Sequence, residues 1–191
     1  MKKTESTFAS MVTVLVAVAV ITGCLLAYVQ KVTEGPKREQ QAESLTADIK
    51  KVMCDDNVVE KNSRKVTRQF DNKDYTFVIH EITDSKGNDK GNAVESTTMG
   101  FGGELTILVG FDTDGNITGY SVRQTSETPG LGIKASEWFQ KGAKGDITGK
   151  NPQKCNLTPT KDGGEVDAIT ASTITTRAFL KAVRQASEAV K

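Results

Sequence analysis

From Phe8 to Val29 the chain reads FASMVTVLVAVAVITGCLLAYV, 22 residues without a charge. As a helix rising about 1.5 Å per residue, this run is roughly 33 Å long, enough to cross a hydrocarbon core of roughly 30 Å. A stretch apolar on every side has no face to offer water, so it is expected to span a membrane rather than to join a soluble core. Lys2 and Lys3 precede it. The positive-inside rule therefore places residues 1–7 in the cytoplasm and the rest of the chain on the extracytoplasmic side of a bacterial cytoplasmic membrane. The far flank is mixed, with Lys31, Lys37 and Arg38 set against Glu34, Glu39 and Glu43.

Two other fates for this segment are open. A cleaved signal peptide has an apolar core of roughly 7–15 residues, whereas here Leu25 to Val29 continue the run. "ITGC" (Ile21 to Cys24) resembles a lipoprotein cleavage box, which would attach lipid to Cys24 in place of a spanning helix.

The remainder is ordinary in composition, and the charges decide little except by exclusion. Lys and Arg number 25 against 24 Asp and Glu, so the basic excess of a nucleic-acid binder is missing. One histidine, His80, is too few for a multi-histidine metal site and leaves a Ser-His-Asp hydrolase without a convincing pair. Cys24, Cys54 and Cys155 fall at no metal-ligand spacing; Cys54 and Cys155 are either a disulfide or two reduced thiols. "DTDGN" (Asp112 to Asn116) starts like a calcium loop, but the twelfth position is Arg123 where such a loop needs an acid.

Along the chain, residues 30–62 are polar and helix-permissive, a juxtamembrane helix or stalk. Residues 63–191 make one domain. Strand-like alternation runs through 66–82, where Tyr75, Phe77 and Ile79 point inward and His80 outward to solvent. "DSKGNDKGNA" (Asp84 to Ala93) reads as an exposed loop. "ELTILVGF" (Glu104 to Phe111) and "ITGYSV" (Ile117 to Val122) form a hairpin about the Asp114-Gly115 turn. Ile133 to Lys141 read as a short helix bearing Trp138. From about Ser172, the residues Phe179, Ala182, Val183, Ala186 and Val190 fall on one stripe, an amphipathic last helix packed on a sheet. The fold class is α+β: one N-terminal transmembrane helix (8–29), then a mainly antiparallel sheet packed by helices.

Just ahead of that last helix stands "VDAITASTITT" (Val166 to Thr176), in which Thr170, Ser172, Thr173, Thr175 and Thr176 all carry hydroxyls. A cap needs one. A helix entrance attracts phosphate, and a hydroxyl there has the chemistry to be esterified by one. Plain capping with solvated hydroxyls is the competing reading of the same residues.

The segment from Asp167 to Thr173 resembles the flavinylation motif of the FMN-binding domain family: Asp, two variable residues, Ser or Thr, Gly, Ala and Thr. A second block, "GFGGELTILVGFDTDGNITGYSVRQTSETPGLG" (Gly100 to Gly132), resembles that family's Gly-Gly strand, hairpin and "ETPGLG" turn. Both blocks occur in the family's order, and together they cover roughly half the chain. Within the family the short chain is similar to the G subunit of the Rnf ion-translocating electron-transport complex. Its sister, the C subunit of the sodium-pumping NADH:quinone reductase, is usually longer.

The resemblance implies FMN joined to Thr173 through a phosphoester, installed from FAD by a flavin transferase that recognises Asp167. It implies that Glu127, Thr128 and Leu131 line the ring, with Thr170 and Ser172 close to the cofactor. It further implies an electron carrier, not catalytic alone, among the membrane subunits of a complex passing electrons from ferredoxin to NAD with Na⁺ or H⁺ movement. Ala171 stands where the family has Gly and Ser172 where it has Ala, and Ser172 is an alternative attachment point. Thr125 replaces a histidine often found two residues before the motif's glutamate. The rival class is a membrane-anchored cell-envelope binding or assembly module without a redox group, whose threonines only cap a helix.

Overall fold

The computed structural model describes residues 8–191, so the expected cytoplasmic terminus, residues 1–7 with Lys2 and Lys3, lies outside the described residues. The first element is a helix, α1 (Phe8–Met53), and the chain divides into two compact units between Leu45 and Thr46. In the first unit, Ser10–Gln30 is 21 residues of mean hydropathy 2.5, long and apolar enough to cross a membrane, and none of it is buried among the described residues. Leu15, Ile21 and Leu26 all stand exposed, the condition of a helix whose solvent is lipid.

The second unit is built on five strands: β1 (Val58–Phe70), β2 (Lys73–Asp84), β3 (Asp89–Met99), β4 (Glu104–Phe111) and β5 (Ile117–Thr125). They lie in the order of the sequence, each antiparallel to the next. A last helix, α3 (Thr173–Ala189), follows a single α turn, α2 (Ala135–Trp138). The α+β class and the antiparallel sheet are as the sequence predicts.

One face of the sheet packs on α3. Phe77 and Ile79 of β2, Val94 of β3, and Leu105, Ile107 and Val109 of β4 form one buried cluster with Phe179, Ala182, Val183 and Ala186. The helix stripe and the two-residue strand period thus meet each other. Phe179 stacks on Phe139 with ring centroids 4.4 Å apart and meets Tyr120 edge-on at 4.8 Å. The Tyr120 hydroxyl donates to the Ala135 carbonyl at 2.6 Å and accepts from the Phe139 N–H at 3.1 Å. Burial pushes the Tyr120 phenol well above the usual tyrosine range.

The opposite face is covered as well, by the end of α1. Ile49, Val52 and Met53 are buried; at spacings of three and four they form the apolar edge of an otherwise polar segment. His80, Ala93, Gly110 and Gly119 are paired across four successive strands, so they make one row on this face. The Val52 carbonyl lies over the glycine end of the row: a Cβ would stand 2.6 Å from that oxygen at Gly110 and 2.9 Å at Gly119. Thr118 Oγ1 donates to the same carbonyl at 2.6 Å. Asp48 accepts from Ser121 Oγ at 2.9 Å and from the Arg123 guanidinium, which also faces Glu95 at 3.7 Å.

The structure corrects five expectations. His80 does point away from Phe77 and Ile79, but its face is not left to water; it is 3% exposed, with Nδ1 2.9 Å from Glu60 Oε1. The expected end of the stalk at residue 62 falls inside β1, and Thr46–Met53 belong to the second unit. The alternation over 66–82 is two strands, because Asp71 and Asn72 both adopt left-handed backbone (φ 51° and 59°) and close a two-residue turn of the kind hairpins favour. The expected loop from Asp84 to Ala93 is shorter. Only the turn at 85–88 separates β2 from β3, since Asp84 Oδ1 accepts the Lys86 and Asn88 N–H groups at 2.8 and 2.9 Å and tightens the chain there. "DTDGN" makes the same turn: Asp112 Oδ1 accepts from the Asp114 and Asn116 N–H groups. Strand β1 is exposed over most of its length, and Lys61, Arg64, Lys65 and Arg68 give this edge the charge that discourages further pairing. The helix expected over 133–141 is a 3₁₀ turn, Gly132–Lys134, followed by α2. Cys24, Cys54 and Cys155 are free thiols.

Candidate functional site

The end of β5 turns sharply. Thr125 Oγ1 accepts the Glu127 N–H at 3.2 Å, and the Leu131 N–H reaches back to the Thr128 carbonyl at 3.2 Å, with Gly130 left-handed at φ 76°. This turn carries Glu127 inward, where it is 5% exposed. Its Oε1 accepts the N–H groups of Phe101 at 2.7 Å and Gly102 at 3.3 Å, so the β3–β4 connection hangs on this carboxylate. Its Oε2 accepts from Thr175 Oγ1 at 2.8 Å, and Thr175 Oγ1 in turn accepts from Ser172 Oγ at 2.9 Å. Glu127 therefore joins three separate segments: the glycine-rich connection, the Pro129-Gly130 turn and the entrance of α3. Gly132 packs directly against it, where a Cβ would come within 2.4 Å of Oε2, so no larger residue fits beside the carboxylate.

The entrance of α3 follows a tight turn in which the Ser172 N–H donates to the Ile169 carbonyl. Ala171 completes it with φ 60°, the left-handed region that costs a residue with a Cβ about 1–2 kcal/mol. A glycine fits this backbone without strain, which is the physical meaning of the glycine in the family's motif. Ser172 is the residue before the first helical turn and makes no side-chain cap. The first N–H groups of α3 thus face outward without a capping oxygen.

Between these parts opens a cleft of about 390 Å³, within the range of roughly 300–1,000 Å³ of small-molecule sites. Phe101, Leu131 and Ile174 supply apolar wall, and Glu127, Thr128, Ala171, Ser172, Thr173 and Thr175 supply polar or small surface. Of the residues singled out from the sequence, the cleft brings together Glu127, Thr128, Leu131, Ala171, Ser172 and Thr173. Thr170 is exposed and outside the lining. Asp167 is outside it too; its side chain is exposed, and its carbonyl accepts the Trp138 indole N–H at 2.9 Å. Phe101, Gly132, Ile174 and Thr175 are the lining residues that the sequence reading passes over. Ile174 has a signal, as a large apolar residue off the inward stripe of α3, whereas Phe101 lies among glycines in the β3–β4 connection.

The five hydroxyls now separate by role. Thr176 Oγ1 donates to the Ser172 carbonyl and accepts the Ile169 N–H. Thr175 and Ser172 are spent on the Glu127 chain, and both are buried. Thr170 faces solvent. Thr173 Oγ1 alone stands half-buried in the cleft and makes no hydrogen bond among the described residues. The flavin implied by the resemblance fits this set: apolar walls suit a flat ring, uncapped N–H groups suit a phosphate, and Thr173 adds an uncommitted hydroxyl at the same helix start. Among the described residues there is no cluster of His, Cys, Asp and Glu suited to a metal ion.

The profile of the FMN-binding domain matches residues 100–188, the stretch that holds every residue of the cleft. The G subunit of the Na⁺-translocating ferredoxin:NAD⁺ oxidoreductase complex of Acetobacterium woodii is 32% identical over 186 residues, 89% of this chain and 85% of that one. The G subunit of the ion-translocating oxidoreductase complex of Aliivibrio fischeri is 39% identical over 103 residues, 52% of this chain and 49% of that one. In the latter comparison the match spans about half the length of the relative. The C subunit of the Na⁺-translocating NADH-quinone reductase from Parabacteroides distasonis aligns at 21% identity over 68% of this chain and 71% of that chain, with a TM-score of 0.38. That score is too low to bear on the fold.

Proposed function

Because the chain belongs to the family of FMN-binding-domain proteins that serve as the G subunits of ion-translocating oxidoreductase complexes, we propose that it is a membrane-anchored electron carrier holding FMN on Thr173. The observation that carries this reading is the free Thr173 hydroxyl beside the uncapped start of α3, in a cleft where the neighbouring Ser172 and Thr175 hydroxyls are engaged with each other and with Glu127. Attachment exchanges a phosphoanhydride bond for a phosphoester. The Thr173 oxygen loses its proton and bonds to the riboflavin-side phosphorus of FAD, the pyrophosphate bond breaks, and AMP leaves. Ser172 is the weaker acceptor, since its buried hydroxyl already donates to Thr175. Asp167, the exposed leading acid of the motif, meets a flavin transferase rather than the ring.

A bound flavin accepts or gives one or two electrons, which suits a relay between carriers. The chain's own part is positional. The first turn of α3 offers N–H groups to the phosphate. Leu131 and Ile174 exclude water from one side of the cleft, and Glu127 fixes its floor. With α1 spanning the cytoplasmic membrane and Lys2 and Lys3 inside, the domain is extracytoplasmic. There a covalent link prevents loss of a cofactor that cannot be rebound from a dilute pool. The partners are the other membrane subunits of a ferredoxin:NAD oxidoreductase complex coupled to Na⁺ or H⁺ movement.

Co-expression with a flavin transferase tests the reading. The protein is expected to gain the mass of one FMN and to fluoresce under ultraviolet light in a denaturing gel, and Thr173→Ala to lose both signals. Full retention in the Thr173→Ala protein refutes the site. An unmodified native protein without flavin absorption, the transferase being present, favours the envelope module instead.

A further inference from the structure

Among the described residues of the second unit, the large apolar side chains left exposed are Val59, Met99, Phe101, Leu131, Ile133 and Ile174. Three of these line the cleft, and Phe101 is the most exposed of the three, at 70%. An aromatic ring this open costs free energy in water, and a flexible connection would let it fold away. Here the main chain that bears it is pinned. The Phe101 N–H is held at 2.7 Å by a carboxylate that is itself 95% buried, and the next N–H shares the same oxygen. The Gly100 N–H closes the turn on the Gly103 carbonyl at 2.8 Å. The connection thus spends its hydrogen bonds on presenting a ring at the mouth of a cleft whose other walls, Leu131 and Ile174, are aliphatic.

We propose that Phe101 is the stacking residue for the ring system of the flavin carried on Thr173, with Glu127 as the positioning residue that holds it there. The inference rests on the attachment reading above. Offset or edge contact with a second aromatic plane is the favoured use of a fixed phenyl group. It makes the site selective for a flat, conjugated ligand over a branched or puckered one of equal size.

The test uses the full chain, flavinylated by co-expression, with Phe101→Trp compared against the wild type and Val59→Trp, an exposed position on β1. Indole in van der Waals contact quenches flavin emission by giving an electron to the excited ring, which phenyl is too hard to oxidise to do. At equal attached FMN, verified by intact mass, Phe101→Trp is expected to lose flavin fluorescence several-fold while Val59→Trp stays as bright as the wild type. Phe101→Leu is expected to keep the added mass and to leave the flavin emission more open to quenching by iodide. A fully loaded Phe101→Trp protein of wild-type brightness overturns the inference alone. So does failure of that variant to load while Phe101→Leu loads, because a rim position on which a ring stacks accommodates a wider one. A wild-type protein that gains no mass overturns the attachment reading and this inference with it.

Discussion

Replacing Glu127 by methionine keeps an unbranched chain of similar length beside Gly132 and removes only the carboxylate. Three donors then lose their acceptor: the N–H groups of Phe101 and Gly102 and the hydroxyl of Thr175. They are not equivalent. Thr175 is 0% exposed, so its donor is stranded, at about 1–3 kcal/mol. Phe101 and Gly102 are exposed, and water replaces much of what they lose, leaving roughly 1 kcal/mol between them. The sum is about 2–4 kcal/mol, a large share of the roughly 5–15 kcal/mol that keeps a domain folded. At about 2–4 °C per kcal/mol for a chain of this size, the melting temperature is expected to fall by roughly 5–15 °C. Glu127→Gln retains an acceptor for Phe101 and an amide for Thr175, and is expected to cost no more than about 1 kcal/mol. Thermal unfolding of the detergent-solubilised chain, followed by far-ultraviolet circular dichroism, reads both variants. A methionine variant that melts with the wild type refutes the role given to the carboxylate.

Two further substitutions probe the backbone. Gly119→Ala drives a methyl group to 2.9 Å from the Val52 carbonyl, an atom of the main chain. It is expected to cost about 1–3 kcal/mol and to expose Thr46–Met53 to limited proteolysis, which the cleavage pattern shows. Ala171→Gly relieves about 1–2 kcal/mol of left-handed strain and loses about 0.4–1 kcal/mol to the freer unfolded chain. A net gain of up to about 1.6 kcal/mol is expected in a denaturant melt, and a loss of stability contradicts the φ of 60° at that position.

The parts of the fold legible in the sequence are those whose pattern is written in neighbouring residues. The apolar run from Phe8, the β4–β5 hairpin and the stripe from Phe179 to Ala186 need no distant information. His80 is different. Its period in β2 gives the direction it points, but what it meets depends on Thr46–Met53, which approach from another part of the chain. Those residues read as a stalk because Ile49, Val52 and Met53 are their only large apolar side chains, set among Asp48, Lys50 and Lys51. The cleft divides the same way. Thr173 stands out by its motif, whereas Thr175 and Ser172 are set apart from it by Glu127, 48 residues upstream of Thr175, which takes up their hydroxyls. Phe101 passed as a residue among glycines because nothing local reveals that a remote carboxylate fixes its backbone.

The last two turns of α1 have a practical consequence for anyone who wants this domain without detergent. They are lodged over Gly110 and Gly119 and tied through Asp48 to Ser121 and Arg123. A truncation made where the polar stretch gives way to strand would tear out part of the interior and leave Ile82, Ala93 and Leu108 wet. The cut belongs upstream of Thr46, so that the fragment carries its own lid away from the bilayer.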